Sequence, residues 1–343
     1  MGKEAGALPG GNPQNLRKTE PEPATLQAER RSRHTPAVAT GDLDQRLRAA
    51  AFAYLDRLRA RGGDRISYRD LEAFELEGQR VPLIQRMRGI RVVSGLEAAL
   101  SILTTYAARP QDRPYEDTEG PDGYWRYKWR GTDPEGYDNV ALRRAMELGK
   151  PLVWFVGAAR GIYVPIYPVW LVGEEPAEHQ LVLALDEEMR AQWESATVFH
   201  PADLALRRQY AQATVRRRLH QPVFRERVLL AYSLQCALCR LRHPELLDAA
   251  HIKEDSEGGE PVVPNGVAMC AIHHRSFDKD VLTVRPDYLI EVRRDVRDEQ
   301  DGPTLTHALQ GLHGEKLILP GQRAAWPDQG LLEERYERFM MAG

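Results

Sequence analysis

Three cysteines occur in the 343 residues, Cys236, Cys239 and Cys270, all in one stretch of the last third of the chain. Three thiols cannot pair off as disulfides. Cys236 and Cys239 stand in a Cys-x-x-Cys spacing, and Cys270 and His273 repeat it as Cys-x-x-His after thirty intervening residues. Two such pairs, each on a tight turn, can close a tetrahedral zinc site with no open position. A structural zinc contributes on the order of 10–16 kcal/mol to folding, enough to hold a module that lacks a large core. The alternative is a set of buried apolar cysteines beside a surface histidine; that every cysteine falls into the pattern favours zinc. Polar groups suited to chemistry lie between and beside these pairs. His251 follows the apolar run Leu246-Leu247 and Ala249-Ala250, which places it at the end of a strand. Asn265-Gly266 is a turn signal, and His274 opens the polar, helix-like segment HHRSFDKD.

The order His251, Asn265, His274, interleaved with Cys-x-x-Cys and Cys-x-x-His, resembles the HNH (ββα-metal) nuclease family. The stretch LLDAAHIKEDSEGG…PNGVAMCAIHHRSFD is similar to the version found in bacterial restriction endonucleases. The resemblance implies His251, Asn265 and His274 as the catalytic set. His251 would be the general base that deprotonates a water for attack on phosphorus, a task suited to an imidazole of pKa about 6.5. Asn265 would fix the loop between two strands and orient His251. His274 would hold a divalent cation, Mg2+ or Mn2+, that stabilises charge on phosphorus and on the leaving oxygen. Many family members carry Asp or His immediately before the base as a second ligand, where this chain has Ala250. Asp248, two residues earlier, points to the same strand face and is the substitute. Neighbouring His273 and His274 can serve two metals, because adjacent side chains on a helix diverge by about 100°.

The rest of the chain must position these groups. Lys plus Arg total 47 and Asp plus Glu 50, and 42 % of residues are hydrophobic, which excludes a wholly disordered or fibrous chain. No apolar run approaches the roughly 18 residues of a membrane span, and the first residues lack the apolar core of a secretory signal. The expectation is a soluble, cytoplasmic α+β multidomain protein. Residues 1–42, rich in Gly, Pro, Ala and charge, read as a disordered leader. Residues 43–65 read as a helix, with apolar positions from Leu47 to Leu58 at helical spacing, Asp42 or Asp44 as cap and Gly62-Gly63 as stop.

Residues 66–190 change to short strand-like runs (SILTTYA, YWRYKW, PLVWFVG, YVPIYPVWLVG, HQLVLALD) with one helix near Asn139–Glu147. That pattern predicts a small barrel or a strongly curved sheet. The segments NVALRRAMELGKPLVWFVG and Tyr115-Glu116-Asp117 are similar to SRA-like domains. That family forms a PUA-like sheet and binds DNA with a modified cytosine flipped out of the duplex. The resemblance implies a base pocket from Tyr115, Asp117, Thr118 and Trp129, with Tyr115 and Trp129 stacking and Asp117 or Thr118 reading the base edge. The family has a carboxylate where this chain has Thr118. The competing reading is that the tryptophans at strand spacing simply fill a core.

Residues 200–234 read as a basic helical connector carrying Arg207, Arg208, Arg216, Arg217, Arg218, Arg225 and Arg227. Such a stretch is either a solvated helix face or a phosphate-tracking surface on DNA. Residues 235–343 form the expected zinc-stabilised HNH domain. It continues into strands over Val281–Val292 and LQGLHGEKLILP, then an amphipathic helix (LLEERYERFM) that docks on the core or on a second subunit. The combination points to a modification-dependent, type IV-like restriction enzyme acting on double-stranded DNA as a homodimer in phage defence, with structural Zn2+ and catalytic Mg2+ or Mn2+. The alternatives are a sequence-specific endonuclease on unmodified DNA, a non-catalytic reader with a zinc scaffold, and a nuclease toxin or RNA-directed HNH protein.

Overall fold

Helix α1 (Ala37–Gly62) begins inside the stretch expected to be a leader; the rest of that leader lies outside the described residues of this computed structural model, which are 37–85, 87–107, 117–195, 201–300 and 302–342. Asp42 and Asp44 do not cap it. Asp42 pairs with Arg46 one turn on, and Asp44 is buried between Arg48 and Lys150. Such i,i+4 pairs support the helix from within. It stops as expected: Gly63 takes a left-handed φ of 72° and its N–H bonds back to Arg59.

After β1 (Ile66–Ser67), α2 (Tyr68–Glu72) and the small hairpin β2 (Glu75–Leu76) and β3 (Gln79–Arg80), the chain builds one large sheet. Its further strands are β4 (Ile90–Arg91), β5 (Ser101–Thr104), β6 (Thr118–Glu119), β7 (Trp125–Lys128), β8 (Leu152–Ala159), β9 (Ile162–Glu175) and β10 (Gln180–Ala184). The order is β4-β5-β8-β9-β10-β7-β6, with β1 added to β9 and only β5–β8 parallel. Register shifts along β9 mark bulges that bend the sheet. Among the described residues the end strands β4 and β6 do not pair, so the expected barrel does not close and the sheet stays open.

The two faces follow from strand alternation. Val153 and Phe155 of β8 pack against Leu47, Ala51 and Leu55 of α1. Leu152, Trp154 and Val156 face the other way, toward α3 (Tyr137–Glu147), α4 (Glu187–Glu194) and α5 (Pro201–Val215). From α5 a π turn, Arg216–His220, leads directly into α6 (Gln221–Ala231). The stretch expected as a basic helical connector packs into two cores. Ala211, Val215, Leu219 and Val223 belong to the sheet's core, whereas Phe224, Val228 and Leu229 belong to the next one.

That second core is built on the hairpin β11 (Leu247–His251) and β12 (Gly266–Cys270), followed by α7 (Ala271–Asp278) and the pair β13 (Leu282–Val284) and β14 (Ile290–Val292). Short helices α8 (Arg294–Asp298) and α9 (Pro303–Ala308) precede α10 (Gln329–Ala342). LQGLHGEKLILP does not form the expected strand. It runs beside β14 through backbone bonds between Gly314, Glu315 and Ile290 and between Leu317 and Tyr288, with an isolated Leu289–Lys316 bridge, before Ile318 turns to bond Ala237. α10 docks on this core through buried Leu332 and through Arg335, whose guanidinium donates to the carbonyls of Ile252 and Phe277. Among the described residues no helix is long and apolar enough to cross a membrane.

Candidate metal and nuclease centre

The Cys236–Cys239 turn is pinned to the hairpin by the Ala237 N–H bond to Ala268 O, and Arg240 at φ 64° closes it. Cys270 ends β12 and stands at the N-cap of α7, so His273 projects back toward the turn from its first helical turn. The ligand atoms of Cys236, Cys239, Cys270 and His273 all lie within 4.8 Å of one another. His273 Nδ1 is 3.4 Å from Cys236 Sγ and 3.2 Å from Cys270 Sγ, and Cys239 Sγ is 3.9 Å from Cys270 Sγ. Tetrahedral zinc with Zn–S near 2.3 Å requires sulfurs about 3.8 Å apart, so the set fits the ion.

The surroundings prepare those ligands. His273 Nε2 lies 2.8 Å from the Ala308 carbonyl, which fixes the proton there and leaves the Nδ1 lone pair facing the sulfurs. Burial pulls the His273 pKa down, but Cys236 and Cys270 outweigh it and hold it up at about 10. Hydrogen bonds among the three sulfurs push Cys236 and Cys270 toward thiolate while Cys239 keeps its proton more tightly. Donors that compete in this way for protons suit a divalent cation, which replaces those protons.

On the other side of the hairpin a cleft of about 410 Å³ is lined by Asp248, His251, Glu254, His274, Asp278 and residues of α6. Asp248 Oδ2 lies 3.4 Å from His274 Nδ1, and Asp278 Oδ1 lies 3.6 Å from His274 Nε2. The Asp248 bond raises the His274 pKa against the opposing effect of burial. Burial would raise Asp248, but His274 and the Ala249 N–H together hold it below its ordinary value. His251 differs: burial lowers its pKa, outweighing Glu254 and Asp255. Its ring lies face-on against Phe224. Adjacent His273 and His274 therefore face two separate sites.

Asn265 is buried and makes no hydrogen bond to the His251 ring among the described residues. Its Oδ1 accepts from Lys253 N–H, and its Nδ2 donates to the carbonyls of Lys253 and Glu260. It ties down the loop that leaves His251. Asp278, one helical turn beyond His274, was readable from that spacing; Phe224 and Arg335 carry no local signal.

The seven arginines do not form one face. Arg208, Arg216 and Arg217 are exposed, although Arg216 pairs with Asp255 at 2.7 Å. Arg207 is half-buried and bonds Ser195. Arg218, Arg225 and Arg227 turn inward instead, donating to the carbonyls of Tyr167, Leu247 and Gly157. The reason is packing: α6 is clasped on two sides, and its cations satisfy carbonyls there.

In the sheet, Tyr115 lies outside the described residues. Asp117 is buried, accepting from Thr104 Oγ1 at 2.6 Å and from Lys128 N–H at 3.2 Å, while Thr118 is exposed. Trp129 belongs to the sheet's core, packed near His179 and under Arg143, so it fills the interior and is no open stacking wall.

Residues 236–285 match a family model described as HNH endonuclease. No curated protein matches the chain. The solved structures that match include two restriction endonucleases. One is a modification dependent TagI restriction endonuclease, at 15 % identity and a TM-score of 0.26, covering 74 % of this chain and 85 % of that one. The other is the type IV phosphorothioation-dependent restriction endonuclease ScoMcrA, at 18 % identity and a TM-score of 0.21, covering 56 % of this chain and 55 % of that one.

Proposed function

We propose that the HNH domain cuts DNA by metal-dependent hydrolysis, with His251 as general base and Asp248 and His274 as the ligands of the catalytic cation. The observation that carries this reading is the convergence of a half-buried imidazole and a carboxylate–imidazole pair on one cleft. Mg2+ or Mn2+ held there would stabilise the charge that builds on phosphorus and on the leaving oxygen. His251 takes the proton from the attacking water, whose oxygen bonds to phosphorus as the bond to the leaving ester oxygen breaks. Asp248 orients His274, and Asn265 holds the loop that carries His251 into the cleft. The zinc ligands Cys236, Cys239, Cys270 and His273 serve only the fold of the hairpin and α7.

The open sheet that precedes this domain is proposed as the DNA-sensing part, an SRA-like module that tests a base for modification. Its support is the order of segments from Asp117 through the Asn139–Ala141–Leu142 helix to β8 and β9. Exposed Arg208, Arg216 and Arg217 supply phosphate contacts. Double-strand cleavage by one HNH site per chain calls for a homodimer or two binding events. The test is a cleavage panel over unmodified, cytosine-methylated and hydroxymethylated versions of one plasmid, run with Mg2+ and Mn2+. Cutting confined to one modified version is the expected result, and equal cutting of all versions removes the sensing role.

A further inference from the structure

Phe224 and Val223 are neighbours on α6 yet lie in different cores. The Phe224 ring, 2 % exposed, lies 4.1 Å from the His251 ring, centroid to centroid, with 17° between their planes. Gly266 is the register partner of His251 on β12. A Cβ there would stand 2.5 Å from Val228 Cγ2 and 2.8 Å from Phe224 Cζ, so the bare backbone lets α6 descend onto the hairpin. The helix is held on both sides: Arg225 donates to the carbonyl of Leu247 on β11, and Arg227 donates to that of Gly157 on β8.

An imidazole turns about a broad, roughly two-fold side-chain torsion. A histidine of this kind is commonly fixed by a carboxylate or carbonyl on its second nitrogen. Among the described residues no hydrogen bond reaches either ring nitrogen of His251, and what meets the ring is the face of Phe224. We propose that Phe224 is the positioning residue of His251, fixing the ring plane so that its nitrogen edge faces the cleft shared with Asp248 and His274. The inference rests on His251 being the base. Orientation matters because a misplacement of about 1 Å in a reacting group costs on the order of 100-fold in rate.

The test uses the full chain and the variants Phe224→Leu and Phe224→Met, which keep apolar bulk and lose the ring face, beside His251→Ala. Two readouts are taken: kcat and KM for Mn2+-dependent plasmid nicking, and the His251 ring-proton resonance in histidine-labelled protein, assigned by its loss in His251→Ala. Both Phe224 variants are expected to lower kcat roughly 10- to 100-fold with KM within about twofold. The upfield ring-current shift of His251 is expected to vanish in them. A wild-type kcat in either folded variant, or an unmoved His251 resonance, overturns the inference. Full nicking by His251→Ala instead removes the base assignment itself, and the resonance then still decides whether Phe224 orients the ring.

Discussion

The Asp248 carboxylate, on β11, reaches to 3.4 Å from Nδ1 of His274 on α7. Ala250 is wholly buried in the core under the hairpin, so no ligand projects from that position. The carboxylate that the cleft needs comes from three residues before His251 rather than one. Arg225 also touches it, with Nε 3.3 Å from Asp248 Oδ1, so the carboxylate is positioned from both sides.

Asp248→Asn is expected to raise the Mn2+ concentration for half-maximal nicking by about 10- to 100-fold, the usual cost of a lost ligand or orienting group. The pH response follows from the direction of the His274 shift. Because its folded pKa is raised above 6.5, the Asp248–His274 attraction is fully present below 6.5 and fades as pH rises through the higher folded value. A cation competes with that same proton, so Mn2+ affinity should climb with pH across that window, and Asp248→Asn should move the climb to lower pH. Calorimetric Mn2+ titrations at several pH values measure both effects.

His251→Ala should abolish nicking, by at least the 100- to 10,000-fold typical of a lost general base, with DNA affinity in gel-shift assays unchanged. Because burial holds the His251 pKa below 6.5, the acid limb of kcat at saturating Mn2+ should fall below pH 6.5. The same shift destabilises the folded protein as pH drops: the unfolded chain takes up a proton at about 6.5 that the folded one resists. His251→Gln should therefore flatten the acid side of the urea-unfolding midpoint against pH.

Asn265→Asp should be as damaging as Asn265→Ala, although it is nearly isosteric. The amide donates to the carbonyls of Lys253 and Glu260, and a carboxylate placed there cannot donate to either. With two part-buried carbonyls losing their donor, the loss is about 1–3 kcal/mol by denaturant unfolding. Gly259 packs into the same loop, where a Cβ would meet the Lys253 carbonyl at 2.0 Å, so the loop has little room to adjust. Recovery of full stability in the Asp variant would show that the loop is held elsewhere.

The parts of this protein legible in its sequence are those set by neighbours along the chain. Cys236, Cys239, Cys270 and His273 declare themselves by spacing, and apolar runs such as Leu152–Val156 mark strands. Asp44 looks like a helix cap because nothing local shows that the helix already begins at Ala37. The open edge of the sheet depends on whether two-residue strands β4 and β6 meet, a tertiary outcome with no local signal. Phe224 stacks on a residue of another element, and Arg218, Arg225 and Arg227 look like a DNA-facing row until the carbonyls they satisfy are known. Local spacing marks the three-cysteine, one-histidine set; packing decides where the cations and aromatics go.

Zinc removal should separate fold from catalysis. Native mass spectrometry is expected to show one zinc per chain, and Cys270→Ala to show none. Cys270 joins β12 to α7, so its loss releases both the Cys236–Cys239 turn and the helix that carries His274. A structural zinc contributes on the order of 10–16 kcal/mol, so the hairpin core around Met269 and Phe277 should unfold without it. The sheet's own cores on α1 and α3 contain none of the four ligands and should keep their structure. Hydrogen exchange of the full chain reads this directly: in Cys270→Ala, protection should be lost over 236–292 and kept over β8 and β9. Added Mn2+ should not restore it, because the Asp248–His274 site lies on the far side of α7 from the sulfurs. Protection of the hairpin in zinc-free protein would mean that its apolar core suffices and that the four ligands have another role.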